Sequence, residues 1–284
     1  MVKHFNSVNV FGGTGFIGSR YCERHPEVVL RSRDDYTFNN TGNPNILYLI
    51  STVDNYNVLT NAYIDIDTNL TTLIKVLENI KNSNDDDVIF NFISSWFVYG
   101  NVPLPAREDA HCGPRGFYSI TKRAAEQLLI SYCETFKIKY RIIRLANVRG
   151  ETDTKASAKK NALQYMIGLL KKHEPVTLYE GGTMVRDFIY IDDAVDGIHH
   201  IMEKGSINEI YNLGYGQGAR IGDIIYYVRD LINSKSDISQ IDTKEFHKQV
   251  QANDMVLDIS KLRSLGFECK VNIKDAIDKI VNAK

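Results

Sequence analysis

The chain has 284 residues, with 34 lysines and arginines against 35 aspartates and glutamates, so its formal net charge is -1. That length builds one large core, or a large domain carrying a smaller one. The near-zero charge excludes bulk attraction to nucleic acid or to an anionic membrane surface, and no apolar run reaches the ~20 residues of a bilayer span.

Four cysteines, Cys22, Cys112, Cys133 and Cys269, are scattered without metal-ligand or redox spacing, which predicts reduced thiols in a cytoplasmic protein. His199 and His200 are neighbours and point apart on a helix, so they make no metal pair. Lys3 and His4 are followed by no apolar signal segment.

In chain order, Val8-Asn9-Val10-Phe11 reads as a buried strand that runs directly into Gly12-Gly13-Thr14-Gly15-Phe16-Ile17-Gly18 and a helix to about residue 23. Strand, glycine loop and helix form the context of a dinucleotide site. The glycines allow a tight turn, and backbone N–H groups at the helix start favour a pyrophosphate. The next strand, about 27–30, ends in Arg31-Ser32-Arg33-Asp34-Asp35. A carboxylate at the end of this strand accepts from the adenosine ribose in NAD sites. Here Arg31 and Arg33 suit a 2′-phosphate instead, which predicts NADP(H), with NAD(H) the alternative if Asp34 or Asp35 serves the ribose.

A polar turn over 39–45 leads into the apolar strand Ile46-Leu47-Tyr48-Leu49-Ile50, over a link too short for a crossover helix. Leu70, Leu73, Ile74, Leu77 and Ile80 predict a helix over about 61–82. The strand 88–93 then ends at Ser94-Ser95-Trp96-Phe97. Ligands meet the carboxyl ends of strands in open parallel sheets, so both serines sit where chemistry would happen, while Trp96 reads first as a packing residue. Pro103, Pro105, Gly113 and Pro114 make 101–116 a surface loop.

Tyr118 and Lys122 follow, four apart and on one helix face. An ammonium beside a phenol lowers the tyrosine's pKa from ~10 toward the working range of a general acid/base. A strand over 140–145 delivers Ala146-Asn147-Val148.

These stretches together, with Arg144-Leu145-Ala146-Asn147-Val148, Val185-Arg186-Asp187-Phe188-Ile189-Tyr190, Ile210-Tyr211-Asn212-Leu213-Gly214 and Leu257-Asp258-Ile259-Ser260-Lys261, resemble an extended short-chain dehydrogenase/reductase of the NAD(P)-dependent nucleotide-sugar epimerase/dehydratase group. The resemblance runs through nearly the whole chain in the right order. It implies Tyr118 as proton carrier, Lys122 tuning it and bonding the nicotinamide ribose, and Ser95 bonding the sugar oxygen at the reacting carbon. It implies Asn147 and Arg186 as a grip on the diphosphate of a nucleotide sugar, and a guanidinium suits a phosphate. The alternative for Arg186 is an ion pair with Asp187 or Asp192.

The departures narrow the activity. Dehydratases of this group carry acidic residues just after the hydroxyl residue, where this chain has Trp96 and Phe97, which cannot move protons. Arg149 stands where many members have tyrosine. The region around Arg31 resembles NADPH-using members that reduce 4-keto sugars. The resulting expectation is NADPH-dependent reduction of a nucleotide-linked 4-keto-6-deoxy sugar. Its runner-up is NAD-dependent C4 epimerisation, and a rival of another class is a non-catalytic dinucleotide sensor. The expected fold is α/β, a doubly wound parallel sheet with a smaller C-terminal substrate domain. Residues 1–149, with 184–214 returning, form the dinucleotide domain, and 150–183 with 215–284 the substrate domain. A homodimer through the Tyr118 helix and the one before it is implied by the resemblance.

Overall fold

The structure is a computed structural model that describes residues 7–32, 34–38, 42–53, 55–83, 87–153, 157, 161–250 and 254–283. Arg33 lies outside the described residues.

The apolar runs become the strands of one parallel sheet, as expected. Strand β1 (Val8–Phe11) is followed by α1 (Phe16–Arg24), β2 (Val28–Arg31) and β3 (Asn45–Tyr48). Next come α2 (Tyr63–Ile66), α3 (Thr72–Asn82), β4 (Ile89–Ser95), α4 (Phe117–Phe136), β5 (Lys139–Leu145) and β6 (Asn147–Arg149). The second half holds α5 (Ala162–Lys171), β7 (Val176–Tyr179), β8 (Val185–Tyr190), α6 (Ile191–Lys204) and β9 (Glu209–Leu213). It closes with β10 (Gly218–Arg220), α7 (Ile221–Leu231), β11 (Ile238–Ile241), α8 (Glu245–Val250), α9 (Ser260–Ser264) and α10 (Ile273–Asn282).

The main sheet runs β2-β1-β3-β4-β5-β9, every pair parallel. Side chains alternate across it, and each face has its own core. Phe90, Phe92, Ile46 and Ile142 pack with Leu73 and Leu77 of α3 and Leu129 of α4. Val10, Leu47, Ile93 and Ile143 pack on the other face with Val195 and Ile198 of α6. The described residues between β2 and β3, 32, 34–38 and 42–44, carry no helix, which agrees with the short link in the sequence.

Two details depart from the sequence reading. The helix expected over 61–82 is interrupted by a π turn at Asp67–Thr71. There the buried Asn69 accepts from the Thr52 backbone N–H (3.0 Å) and donates to Thr121 Oγ1 (3.0 Å). A buried amide must find partners, and the widened turn lets it reach both sides. The loop 101–116 is not only surface. Ala106 is fully buried and exchanges backbone bonds with Val256 and Asp258 (2.8 Å each). Within the 184–214 stretch expected to return to the dinucleotide domain, β9 joins the main sheet beside β5, and β8 pairs with β6 and β10. Its alternation explains this: Phe188 enters a third core with Leu163, Ile167, Ile225 and Ile277, while Ile189 faces the α6 core.

Helices α1 and α6 are joined by Arg20–Asp192 (2.6 Å), Arg24–Asp196 (2.8 Å) and the stacked rings of His25 and His199, 4.1 Å apart at 14°. Burial, and then the neighbouring His199, push His25 down to about 4. His25 therefore stays neutral in the fold while the unfolded chain takes up a proton near ~6.5. The unfolded state binds more protons below that value, so the contribution is intact above pH ~6.5 and is lost as pH falls toward 4. Denaturant midpoints measured between pH 7.5 and 4.5 should fall more steeply in the wild type than in His25→Gln. Parallel slopes would remove His25 from the acid response.

Candidate functional site

The glycine loop closes at the carboxyl end of β1. Gly12 has φ +82°, and a Cβ there would come 3.0 Å from the Leu49 and Ile50 backbone. At Gly18 a Cβ would lie 2.3 Å from the Gly12 carbonyl oxygen and 2.6 Å from Gly13 Cα, so α1 rests directly on the loop. Gly15 is the helix N-cap and carries no side-chain cap, and it is exposed with Thr14 while Phe16 and Ile17 are half-buried. Close backbone approach and an open helix start fit a dinucleotide pyrophosphate.

The start of α4 is fixed by Ser119, whose hydroxyl donates to the Gly116 carbonyl (2.7 Å) and accepts from its N–H (2.9 Å). A Cβ at Gly116 would lie 2.2 Å from Asn55 Oδ1, so the helix starts tight against the segment after β3. This places Tyr118 and Lys122, one turn apart, against the end of β4. Lys122 is 1% exposed; its Nζ donates to the Ile93 carbonyl (2.8 Å) and lies 4.2 Å from the Phe92 ring centroid. Burial pushes it down to about 7, with Glu126 pulling it back up. A lysine poised there changes charge near neutral pH, which no exposed lysine does.

Ser95 closes β4 and caps the 3-10 turn Trp96–Val98, its Oγ accepting from the Phe97 N–H (3.3 Å). The Phe97 ring meets Tyr118 edge-to-face at 6.0 Å. Ser95 and the Tyr118–Lys122 pair, more than twenty positions apart in the chain, thus converge around one turn at the carboxyl edge of the sheet. All three are buried, Tyr118 at 7% and Ser95 at 9% exposure.

Trp96 is buried, stacked on Phe97 at 3.9 Å, as a packing residue should be. It also lies under a guanidinium, since Arg186 sits 5.2 Å from its ring. Arg186 donates to the Val185 carbonyl (2.9 Å), and burial pushes it down to about 10. The aspartates weighed as its partners are taken elsewhere. Asp187 accepts from the N–H groups of Tyr215 (2.9 Å), Gly216 (3.1 Å) and Leu257 (3.2 Å), and Asp192 pairs with Arg20. Asn147 donates to the Asp187 carbonyl (3.1 Å) and lies opposite Phe188 in the β6–β8 pair, two residues from Arg186.

Arg31 differs from its expected posture. It is 8% exposed, donates to Asn9 Oδ1 through Nε (3.1 Å) and Nη2 (2.6 Å), and pairs with Asp35 at 3.6 Å. A buried asparagine in an inner strand needs partners, and the guanidinium at the strand end supplies those of its Oδ1. Asn55, Asn69 and Glu126 are site-forming residues that motif reading missed. For Glu126 a signal existed, since Tyr118, Lys122 and Glu126 repeat every four residues. Two surface cavities of about 330 and 320 Å³ hold none of Ser95, Tyr118 or Lys122; one is lined by Glu108 and Lys261, the other by His25 and Glu203. No cluster of three or more metal-ligating side chains occurs among the described residues. No helix among them is long and apolar enough to cross a membrane.

The contact at Gly18 yields a direct test. In Gly18→Ala the added methyl forces α1 off the loop at a cost of roughly 1–3 kcal/mol. Dinucleotide affinity, followed by nicotinamide fluorescence, should fall about tenfold or more. Unchanged affinity would show that the loop does not carry the pyrophosphate.

Residues 43–214 match the model of the NAD dependent epimerase/dehydratase family. A putative UDP-glucose 4-epimerase of Methanocaldococcus jannaschii is 25% identical over 96% of this chain and 96% of its own. A UDP-glucuronate 4-epimerase of Thermodesulfobacterium geofontis is 28% identical over 79% of this chain and 67% of its own. Among solved structures, the Thermotoga maritima UDP-glucose 4-epimerase with UDP-glucose superposes with a TM-score of 0.86 at 21% identity, covering 98% of each chain. The Pseudomonas aeruginosa protein RMD, complexed with NADPH, gives 0.84 at 19% identity, again over 98% of each. The chain belongs to the NAD dependent epimerase/dehydratase family and is an enzyme of the extended short-chain dehydrogenase/reductase type, built on a Rossmann sheet.

Proposed function

We propose that this enzyme inverts C4 of a nucleotide-linked hexose, with a uridine diphosphate sugar as the first candidate. The carrying observation is the buried cluster of Tyr118, Lys122 and Ser95 at the end of β4, next to Trp96 and Phe97, which move no protons. Such a site has one proton carrier, enough for oxidation and re-reduction at one carbon and too few for elimination of water. The 4-epimerase relatives support the same reading.

The glycine loop from Gly12 to Gly18 would hold the dinucleotide pyrophosphate, and Lys122 its nicotinamide ribose. When bound, the nicotinamide supplies a reversible hydride acceptor. Tyr118 would take the proton from the C4 hydroxyl and return it to that same oxygen once the ketone has turned its other face toward the nicotinamide, which is what inverts the carbon. Ser95 orients that oxygen, and Lys122 holds the phenol in its reactive range. Asn147 and Arg186 grip the diphosphate, and Trp96 keeps the Arg186 guanidinium flat. Residues 150–183 and 215–284 are the substrate-binding unit in this scheme. The dimer forms through α3 and α4, which leave Ile74, Ile120, Leu128 and Phe136 exposed. The four cysteines are free thiols, in keeping with a cytoplasmic enzyme.

The held posture of Arg31 favours NAD, because a guanidinium already shared by Asn9 and Asp35 has to give up partners to reach a 2′-phosphate. A second reading, NADPH-dependent reduction of a nucleotide-linked 4-keto sugar, keeps support from Arg31 itself, which occupies the strand end where NAD sites usually place a carboxylate.

Stoichiometry separates the two. With UDP-galactose and trace NAD, an epimerase forms UDP-glucose with no net change at 340 nm. A reductase consumes one NADPH for each keto sugar reduced and leaves UDP-galactose untouched. Tyr118→Phe should lower kcat by about 10²–10⁴ with dinucleotide affinity within a few-fold. A wild-type protein that binds dinucleotide and turns over neither sugar would favour the non-catalytic sensor over both.

A further inference from the structure

Behind Lys122, on the same face of α4, lies Glu126, with none of its surface exposed. Its Oε1 accepts from Ser94 Oγ (2.5 Å) and Arg144 Nε (3.0 Å), and its Oε2 from Arg144 Nη2 (2.9 Å) and Arg123 Nη1 (2.7 Å). A carboxylate so far from water survives only when paired and hydrogen-bonded, and every lone-pair direction here is used. The four contacts come from three residues in different parts of the site. Ser94 is the residue before Ser95, Arg144 lies opposite Ser94 in the β4–β5 ladder, and Arg123 follows Lys122. Arg144 also donates to the Glu108 carbonyl (3.0 Å) and lies 4.7 Å from the Tyr99 ring.

We propose that Glu126 is a positioning residue for the acid–base pair: its clamp on Ser94 and Arg144 locks the end of β4 to α4 and holds Lys122 as an ammonium beside Tyr118. This rests on the reading of Tyr118 and Lys122 given above. The clamp is more than a structural ion pair because of where it stands. Helix rise puts Lys122 about 6 Å and Glu126 about 12 Å along the axis from Tyr118. Glu126 therefore acts on the phenol mainly through the lysine. Lys122 itself meets the Phe92 ring and Ile93 carbonyl of β4 and the charge of Glu126, with Tyr118 one turn before it; Ser94, Arg123 and Arg144 stand around Glu126, with Tyr99, Glu108 and Cys112 behind Arg144. Burial pushes Lys122 toward neutrality, and Glu126 opposes it. Removing the carboxylate charge leaves two arginines uncompensated beside an already depressed lysine. The ammonium is then lost, and the phenol returns toward its ordinary titration range.

Tyrosinate absorbance at 295 nm tests this without a substrate. Subtracting the Tyr118→Phe titration from that of the wild type, both as purified, isolates Tyr118. The wild-type difference should show a phenol titrating below the ordinary ~10. In the Glu126→Gln background the same difference should move to higher pH by roughly half a unit or more. In Arg123→Met, which removes only the part-exposed cation, it should move to lower pH. A merely structural Glu126 leaves the midpoint in place and lowers only the folded fraction. A depressed wild-type phenol that Glu126→Gln leaves unmoved overturns the proposal while the acid–base reading stands. A wild-type phenol at its ordinary pH overturns both. Should Glu126→Gln fail to fold, Arg123→Met decides alone, and a midpoint that does not fall overturns the proposal.

Discussion

The interaction on which the site depends is the burial of the Lys122 ammonium. A charge out of water is tolerated only where dipoles and opposite charge replace its hydration. Here the replacements are the Ile93 carbonyl, the face of Phe92 and the carboxylate of Glu126 one turn away. They come from β4 and α4, so the site forms only when strand and helix meet in one register. The same burial brings the lysine to a charge balance near neutrality, where an acid–base partner is useful.

A second constraint ties the C-terminal segments to this centre. Tyr99, in the turn after Ser95, donates to Asn212 Oδ1 (2.7 Å), and Asn212 donates to the carbonyls of Ala106 (2.9 Å) and Asp258 (3.0 Å). Asp187 gathers three backbone N–H groups from the 215–216 turn and from Leu257; burial pushes it up to about 6 against those bonds. Buried polar groups that each join three separate stretches specify one arrangement, because any other leaves them unsatisfied. Arg186 and Asn147 inherit their positions from that arrangement.

Much of this was legible before any coordinates. The glycine spacing, the four-residue step from Tyr118 to Lys122 and the Ser-Ser at a strand end are local patterns. Local geometry makes them meaningful: a tight turn, one helix face, the carboxyl edge of a sheet. The roles of Arg31 and Glu126 were not legible. A strand-end arginine carries no local sign of the buried Asn9 beneath it, and the helix spacing of Glu126 carries none of the Arg144 opposite.

By itself the sequence determined the order of strands and helices over about the first 148 residues, the glycine loop and the face shared by tyrosine and lysine. Each depends on residues within a few positions of one another, where backbone sterics and helix or strand period decide. Only the tertiary structure decided which charges are buried and with whom. It paired β8 with β6 and β10, drew Ala106 against Val256 and Asp258, and gave Arg31 to Asn9. Those choices depend on desolvation. The cost of removing a group from water is set by neighbours brought from across the chain, and no local spacing records it.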